Sequence, residues 1–524
     1  MPDLLIVGTL HTQDPSRPLA QAALVRGGKF AKVGTRDECE AASHDDLKFI
    51  ELGQGCAVPG LIDAHGHPRL HGQRLQQVRL DGAKSEQECV DRVARYAQLM
   101  LAGQWIRGGG WDQNRWPARG FPDLALLSAV TPSQPVALER VDVHAIWCNE
   151  AALKAAQITA RTPDPPGGRI LKAADGKPTG VLIDTAMDLV RRAIPRATTA
   201  ESEEAILRSL RAAAAAGLTC VHDAAAGPET LAAYRLLDAR GALPVRVYAM
   251  IDGQGEGLDE AMREWREQPG THDLTVRAVK LFADGALGSR GAALYEPYED
   301  EPGNTGLWLM DPRELEEKIV RIAAAGFQPC VHCIGDRACA VTLQALSRAP
   351  RDLRPRAEHL QILRARDVPL LKRSGAIASM QPTHATSDGA WAEQRLGRGT
   401  ERQRGAYAWK QVLEAGVPLA FGSDFPVEDL DPRHGLRAAV ARKTAGGAVW
   451  MPEQRLTRAQ ALHAFTAGAA YAEFAEGRRG LIREGFDADF TVFGRDIMEV
   501  HVDELPFVPV TATVVSGNAV YAGE

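Results

Sequence analysis

The sequence contains no long hydrophobic run, few cysteines and no block of like charge. Its 524 residues are 45% hydrophobic, yet no stretch approaches the roughly 20 continuous apolar residues that a membrane span requires. The N-terminal segment is apolar but lacks the basic start of a signal peptide, and we interpret it as a first β-strand. These absences exclude a membrane protein and lead us to expect a soluble, cytoplasmic one.

Charge and cysteine content narrow the class of protein further. The net charge is −6 with acidic and basic residues interspersed, so we expect a small-molecule substrate and no nucleic-acid or membrane partner. Eight cysteines in so long a chain do not indicate a disulfide framework. Cys330 and Cys333 have the spacing of a zinc site, but they lie in a predicted strand. Residues three apart in a strand face opposite sides, so these two thiols could not easily share one ion.

Both ends of the chain consist of short predicted strands separated by turns. The strand-like runs near the N-terminus are residues 4–7, 22–25, 30–33 and 49–52. Those near the C-terminus are residues 490–493, 510–515 and 519–521. Neither end has enough apolar surface to fold alone. The sequence therefore predicts one discontinuous β-sandwich domain made of residues 1–56 and 475–524.

Residues 57–474 alternate short apolar strands with helical segments rich in Ala, Leu and Arg, the pattern of βα units on a parallel sheet. The candidate strands are residues 56–63, 219–222, 245–250, 278–282, 328–332, 356–359, 376–380 and 418–422. The predicted intervening helices include residues 201–216, 312–325 and 368–374. The sequence thus predicts an α/β fold, a (β/α)₈ TIM-like barrel. Because a plain barrel needs only about 250 residues, residues 80–200 are predicted to be a lid or substrate subdomain inserted after the first strand.

Potential metal ligands stand where the predicted strands end, which is the catalytic face of such a barrel. His65 and His67 are two residues apart and so point the same way on an extended chain. Lys280 lies among apolar neighbours, where an unpaired ammonium is costly, and carboxylation by CO₂ would turn it into a carbamate able to bridge two cations. Later strands end in further candidates: His332, His359 and Asp424. A single histidine is more often a hydrogen-bonded core residue, but six such groups together predict one or two divalent metal ions, Zn²⁺ by ligand type.

These motifs resemble those of the amidohydrolase superfamily, and more narrowly its third large family, which includes N-substituted formamide deformylases. The resemblance covers nearly the whole chain and rests on VPGLIDAHGHP (58–68), KLFADGALGSR (280–290), HCIGD (332–336), EHLQ (358–361), GSDFP (422–426) and GLIREGFDAD (480–489). It implies that the more buried ion is held by His65, His67 and Asp424. It also implies that carboxylated Lys280 is the bridge and that His332 and His359 hold the second ion.

The predicted substrate contacts depend on weaker sequence patterns than the predicted metal ligands do. Trp111 and His144 lie in the predicted insertion and look like lid elements of the family, although Trp111 is equally a candidate for the core of the lid itself. His222 ends the second predicted strand, His384 follows the seventh, and both are expected to face the barrel mouth. Arg290 closes the motif 280–290 and completes the predicted set.

The sequence predicts a metal-dependent hydrolase that cleaves a non-peptide C–N bond, in an amide, formamide or related small molecule. Metal-activated hydroxide is the expected nucleophile, with Asp424 as general base and then acid, and Lys280 is the second predicted catalytic residue. Three alternatives remain: an ester or lactone hydrolase on the same site, a Schiff-base enzyme that uses a free Lys280, and a non-catalytic scaffold of the same fold. A homodimer is the default expectation.

Overall fold

The chain divides into two units in the computed structural model. The structure describes residues 3–43, 47–101, 103–113, 116–117, 120–140, 145–165, 168–195, 198–255, 257–267 and 270–523. Unit 1 is formed by Met1–His71 and Ser202–Glu524, and unit 2 is formed by Gly72–Glu201. Each unit has its own sheet structure and its own buried apolar clusters.

The described strands are, in chain order, β1 (Asp3–His11), β2 (Leu19–Arg26), β3 (Lys29–Gly34), β4 (Leu47–Pro59), β5 (Leu61–Gly66), β6 (Val78–Arg79), β7 (Ile106–Trp111), β8 (Val136–Arg140), β9 (Ala145–Cys148), β10 (Gly168–Lys172), β11 (Pro178–Asp184), β12 (Leu218–Ala226), β13 (Arg246–Asp252), β14 (Leu274–Phe282), β15 (Gln328–Cys333), β16 (Arg356–His359), β17 (Ile377–Met380), β18 (Leu419–Phe421), β19 (Phe490–Phe493), β20 (Val510–Val515) and β21 (Asn518–Ala522).

The described helices are α1 (Arg36–Ala41), α2 (Pro68–Leu75), α3 (Glu86–Ala97), α4 (Leu124–Val130), α5 (Glu150–Ala155), α6 (Met187–Arg191), α7 (Thr199–Ala215), α8 (Pro228–Ala239), α9 (Leu258–Glu267), α10 (Pro312–Ala324), α11 (Asp336–Leu346), α12 (Val368–Ser374), α13 (Pro382–Asp388), α14 (Ala392–Leu396), α15 (Glu401–Arg404), α16 (Trp409–Glu414), α17 (Pro432–Ala441), α18 (Arg458–Ala464) and α19 (Ala467–Ala472). Short 3₁₀ turns are Arg351–Leu353, Ala365–Asp367, Pro452–Gln454 and Val502–Phe507. Several helices begin with proline in the first turn, where its missing N–H leaves no hydrogen bond unmade. Among the described helices, none has the length and apolarity needed to cross a bilayer.

Eight described parallel strands of unit 1 form a barrel sheet in the order β5, β12, β13, β14, β15, β16, β17 and β18. The strand β16 is buried along its whole length, as expected for a parallel strand covered on both faces. The edge strands approach each other near their C-terminal ends, where Gly66 forms a parallel bridge with Phe425 and Asp424 N donates to His65 O at 2.7 Å. The sheet is therefore nearly closed, and the predicted TIM-like barrel is confirmed.

The first barrel strand begins later than the sequence predicts. The predicted strand 56–63 combines the end of β4, which belongs to a different sheet, with the beginning of β5. The chain passes from one strand to the other at Gly60, whose N–H donates to Asp489 O. A Cβ at this glycine would lie 2.2 Å from Thr219 Oγ1, so no larger residue fits without a shift. The run of buried apolar residues continues across both strands, and this continuity hides the boundary in the sequence.

Strands from both chain ends form one sheet in unit 1. Its seven described strands are in the order β21, β20, β19, β4, β1, β2 and β3. The two ends meet where β4 pairs with β19 in antiparallel register, with Cys56 opposite Phe493. On its other side β4 runs parallel to β1, and Cys56 lies opposite Thr9. The face-to-face sandwich arrangement, and domain bounds at residues 56 and 475, stay predictions.

A buried arginine connects this sheet to the barrel. Arg246, at the start of β13, is 1% exposed and donates to Asp489 through Nε at 2.7 Å and Nη2 at 3.0 Å. Its Nη2 also donates to Ser516 Oγ at 2.7 Å, and its Nη1 donates to Asp273 Oδ1 at 2.6 Å. A buried charge is tolerated only when it is paired and hydrogen-bonded in this way. The arginine therefore holds the segment before β19 and the β20–β21 turn against the barrel.

Unit 2 contains a sheet whose described strands are in the order β10, β11, β9, β8, β7 and β6. Three tryptophans pack against one another in its core, with ring centroids 6.1–6.4 Å apart: Trp111, Trp116 and Trp147. Trp111 is fully buried, and its Nε1 donates to Leu138 O at 2.8 Å. From the sequence, Trp111 is a candidate both for substrate contact and for the core of the lid. Its position here is that of a core residue.

Candidate metal centre

The candidate ligands lie at the C-terminal ends of barrel strands: His65 and His67 at β5, Lys280 in β14, His332 in β15, His359 at β16, and Asp424 after β18. Neighbouring strands are in parallel register, with Phe282 opposite His332 and Cys333 opposite His359. Because the carboxyl ends of parallel strands meet at one edge of a barrel, this register brings the side chains to the same end.

Asp424 lies at the centre of the first group of ligand atoms. Its Oδ1 is 3.1 Å from His67 Nε2 and 3.6 Å from His65 Nε2. Lys280 Nζ is 3.4 Å from the same His65 Nε2. The ligating atoms of His65, His67 and Asp424 all lie within 4.8 Å of one another. Three protein ligands of these types are what a catalytic Zn²⁺-like site requires.

His332 and His359 form a second group beside the first. The ring centroid of His359 lies 4.7 Å from that of His65 and 4.6 Å from that of His332. His359 Nδ1 is 2.8 Å from Gln381 Oε1, which can only accept, so this histidine presents the lone pair of Nε2. His332 Nε2 is buried and has no hydrogen-bond partner among the described residues. A buried nitrogen without a partner is costly, and a metal ion bound to it would remove that cost.

A carboxylate fixes the orientation of His65. His65 Nδ1 lies 2.6 Å from Glu358 Oε2, so the ring donates from Nδ1 and presents Nε2 to the site. Glu358 is held in turn by Arg356, whose Nε donates to its Oε1 at 2.7 Å. All three side chains are at most 1% exposed. The sequence motif contained Glu358, but nothing in the motif indicated this supporting role.

Burial favours the neutral, metal-binding form in three of the candidate histidine ligands. Burial lowers the pKa of His65 to about 4 and that of His332 to about 3, and it lowers the pKa of His359 as well. Neutral imidazole is the form that ligates a metal ion. The cluster of neutral nitrogens around one carboxylate therefore fits a divalent cation.

Lys280 is 1% exposed, and burial lowers the pKa of its ammonium group. Its Nζ lies 4.7 Å from the centre of the Phe282 ring as well as 3.4 Å from His65 Nε2. The lowered pKa favours the neutral form of the amine, which is the nucleophilic form that reacts with CO₂ or with a carbonyl.

Asp424 stays ionised although it is buried. Burial acts to raise its pKa, but hydrogen bonds from His384 and His67 hold that pKa well below its usual value. His384 Nε2 lies 3.2 Å from Asp424 Oδ2, and its Nδ1 lies 3.5 Å from Glu428 Oε1. Against the effect of burial, these two carboxylates raise the pKa of His384 to about 10. His384 is therefore a cation that donates to Asp424.

The backbone is strained at two of the ligand positions. His359 has φ 68°, and Asp424 has φ 62°. Non-glycine residues adopt this left-handed region rarely and at a cost, and such residues cluster at functional sites. The observed strain is consistent with chain segments that are held in place to aim their side chains.

Two buried carboxylates hold the loops around the site. Asp63 accepts hydrogen bonds from Ser423 Oγ at 2.6 Å and from His65 N at 3.0 Å. Asp284 accepts from the backbone N–H groups of Ala293, Ile334 and Gly335 at 2.8–3.0 Å. Burial raises the pKa of both carboxyl groups to about 7. Both aspartates stand inside the quoted motifs, yet their loop-holding role depends on contacts across the fold.

The predicted substrate contacts that the structure describes in the barrel unit have different polar partners. His384 lies beside Asp424, as described above. His222 is fully buried, with Nδ1 3.0 Å from Arg356 Nη1, and Arg290 pairs with Asp300 at 3.0 Å and with Glu301 at 3.3 Å. The predicted contact His144 lies outside the described residues.

Known proteins are similar to this chain over nearly its whole length. The profile of the amidohydrolase family matches residues 48–521. YtcJ of Bacillus subtilis, whose name places it among amidohydrolases, is 31% identical, with 98% of each chain covered. The N-substituted formamide deformylase of Arthrobacter pascens is 28% identical, covering 99% of this chain and 98% of that protein. The crystal structure of an uncharacterized metal-dependent hydrolase from Pyrococcus horikoshii has a TM-score of 0.80 and 26% identity, covering 96% of this chain and 99% of that one.

A TIM-like barrel with neutral histidines and a carboxylate at its C-terminal end defines the class of metal-dependent barrel hydrolases. The chain belongs to the amidohydrolase family and is a metal-dependent hydrolase of that superfamily. The resemblance inferred from the motifs is thereby confirmed.

Proposed function

We propose that the protein hydrolyses a non-peptide C–N bond in a small molecule, an amide, formamide or related compound. The observation that carries the proposal is the buried amine of Lys280 placed 3.4 Å from His65 Nε2, beside the ionised Asp424. The similarity to a protein named as an N-substituted formamide deformylase, over 98% of that protein, supports the C–N class.

Lys280 acts in this proposal as a carbamate. Its amine, in the neutral form, attacks CO₂ and loses one proton, and the product carries a negative charge where the ammonium form would bury a positive one. The carbamate oxygens would be shared by two ions. One ion would be held by His65, His67 and Asp424, and the other by His332 and His359.

Divalent ions held there, Zn²⁺ by ligand type, would lower the pKa of water and polarise the scissile carbonyl. Asp424 accepts the proton of the attacking water, which it can do because it is ionised at neutral pH. It then delivers that proton to the leaving nitrogen. His384 donates to Asp424 Oδ2 at 3.2 Å and so keeps the carboxylate in orientation through both transfers.

Other parts of the proposal come from the sequence. We place the protein in the cytoplasm as a homodimer, and we take residues 80–200 as the lid over a small-molecule substrate. Trp111, His144, His222 and Arg290 have no role in the steps above.

The test is a substrate screen with the metal-loaded protein, covering N-formyl amines, N-acyl amino acids, cyclic imides and aryl esters. We expect turnover of one C–N class and its loss in Asp424→Asn, since the amide cannot accept the water proton. Turnover of aryl esters alone would replace the C–N proposal by ester hydrolysis. A protein that binds no metal and turns over none of the four classes would be a scaffold.

A further inference from the structure

A second cluster of ligand-type side chains lies where the two chain ends meet, away from the barrel site. His11 is the last residue of β1, Cys56 lies in β4, and Asp496 follows β19. His11 Nε2 lies 2.9 and 3.0 Å from the two carboxylate oxygens of Asp496. The ligating atoms of the three residues all lie within 4.8 Å of one another. We propose that His11, Cys56 and Asp496 bind a divalent transition-metal ion of the Zn²⁺ class.

The chemistry of the three side chains selects the kind of ion. Thiolate sulfur, imidazole nitrogen and carboxylate oxygen are the ligands that Zn²⁺ takes in proteins. Thiolate disfavours Mg²⁺ and Ca²⁺, which prefer oxygen. Burial raises the pKa of the Cys56 thiol to about 12, so this thiol is protonated before metal binding. Formation of the S–metal bond therefore releases one proton to solvent, and the two anionic ligands neutralise the charge of the ion.

The geometry leaves room for a fourth ligand from solvent. The side chains of His11 and Asp496 are 14% and 19% exposed, whereas Cys56 is fully buried beneath them. The sulfur of Cys56 contacts Arg495 O at 3.9 Å, which is a weak interaction for a buried thiol. An ion pair between His11 and Asp496 does not require a neighbouring thiol. A tetrahedral metal site would use the thiol as well as the imidazole and the carboxylate.

A cluster of similar composition inside the barrel differs from this one in having arginine partners. Cys220, His222 and Glu473 also lie within 4.8 Å of one another. There Arg356 Nη1 donates to His222 Nδ1 at 3.0 Å, so the neutral ring carries its proton on Nε2 and has no lone pair for a metal. Arg479 Nη1 donates to Glu473 Oε1 at 3.1 Å and already neutralises that carboxylate.

The cluster at the chain ends lacks such competing cations. In the described part of the chain, no lysine or arginine side chain donates a hydrogen bond to His11, Cys56 or Asp496. Arg458 is a neighbour of Asp496, but its Nη1 donates to Ile497 O at 2.6 Å. Asp496 Oδ1 accepts a hydrogen bond from Met498 N at 2.9 Å, but no cationic side chain competes with a metal ion for the carboxylate or the imidazole in the described part of the chain.

The test uses the full-length protein, stripped of metal and titrated with Co²⁺. The barrel ligands contain no sulfur, so Co²⁺ bound there gives no thiolate charge-transfer absorption. We expect such an absorption in the near ultraviolet from the proposed site. Cys56→Ser should remove it and should lower the bound Co²⁺ by about one equivalent per chain. His11→Asn keeps the thiol and should shift the appearance of the absorption to higher Co²⁺ concentration.

Cys220→Ser is the matched control, because it removes a buried cysteine from the cluster of similar composition, and it should leave the absorption unchanged. Circular dichroism shows whether each variant has folded. If Cys56→Ser does not fold, the Co²⁺ titration of His11→Asn tests the proposal instead. No thiolate absorption at saturating Co²⁺ would overturn the proposal. Absorption that survives in Cys56→Ser, or that disappears in Cys220→Ser, would overturn it too.

Discussion

Glu358 Oε2 lies 2.6 Å from His65 Nδ1, and this contact determines which nitrogen of His65 faces the other ligands. The same glutamate receives a hydrogen bond from Arg356 Nε at 2.7 Å, so a buried charge pair supports a proposed metal ligand. Burial alone would raise the pKa of Glu358, but Arg356 and His65 hold that pKa well below its usual value. The support of His65 is thus a charged group that remains ionised throughout the neutral range.

We predict that Glu358→Gln weakens metal binding by about 10–100-fold, the usual effect of losing an outer-shell partner. Glutamine keeps an oxygen for His65 but loses the charge, and its amide group meets the donors of Arg356. Competition with a chelator measures the affinity. The control is Ser379→Ala, which removes the hydroxyl that accepts a hydrogen bond from Arg356 Nη2 at 2.9 Å and leaves the Glu358–His65 contact in place. Equal weakening in both variants would mean that the contact has no specific role.

We predict that Lys280→Ala and Lys280→Met both lose metal, by more than the roughly 10–100-fold expected for an outer-shell change. Both variants lack the amine from which the carbamate forms. Acetate or propionate should restore part of the metal content and rate in Lys280→Ala, since the vacated space can hold a small carboxylate. Lys280→Met fills that space with an apolar chain and should not respond. Full metal content in either variant would require a mechanism without the carbamate.

We predict that the stabilisation by His384 of the metal-free protein decreases as the pH rises from about 6.5 to 10. The pKa of this histidine rises from 6.5 to about 10 on folding. The folded state therefore binds the proton more tightly. The stabilisation is complete at a pH below the pKa of the unfolded state, and it is lost as the pH rises through the pKa of the folded state. The wild type and His384→Gln should differ in their free energy of unfolding. This difference should be larger at pH 6 than at pH 10, by roughly 3–5 kcal/mol in favour of the wild type. Urea denaturation measures the difference at each pH, and parallel profiles of the two proteins would contradict the prediction.

The barrel could be predicted from the sequence because its strands and helices are locally encoded. The strand Arg356–His359 and the helix Val368–Ser374 have the predicted bounds. Alternation of short apolar runs with helical segments fixes their type, and the known chemistry of barrel strand ends locates the ligands. The first barrel strand could not be delimited in this way, since apolar residues continue through the bend at Gly60.

The substrate contacts stay predictions, because the sequence does not show which partners a polar or aromatic residue will meet. Arg290 looks like a recognition residue until the fold places Asp300 and Glu301 beside it. His222 meets Arg356, which is 134 residues away along the chain. An aromatic residue such as Trp111 gives the same signal in a core as at a binding surface.

The last prediction concerns Arg246, the buried arginine that joins the end sheet to the barrel. Arg246→Ala leaves Asp489 as an uncompensated buried charge and should lower the free energy of unfolding by about 3–5 kcal/mol. Arg263→Ala is the control: its side chain is 60% exposed and its nearest acidic partner, Glu260, is 3.5 Å away, so the change should be within about 0.5 kcal/mol. Asp489→Ala combined with Arg246→Ala should cost less than the sum of the two single changes, because the double variant removes the buried carboxylate that Arg246→Ala alone leaves without its partner. Urea denaturation of the four proteins completes the cycle. Additive losses would show that the arginine and the aspartate stabilise the sheet independently, and the pair would then not be the link between the chain ends and the barrel.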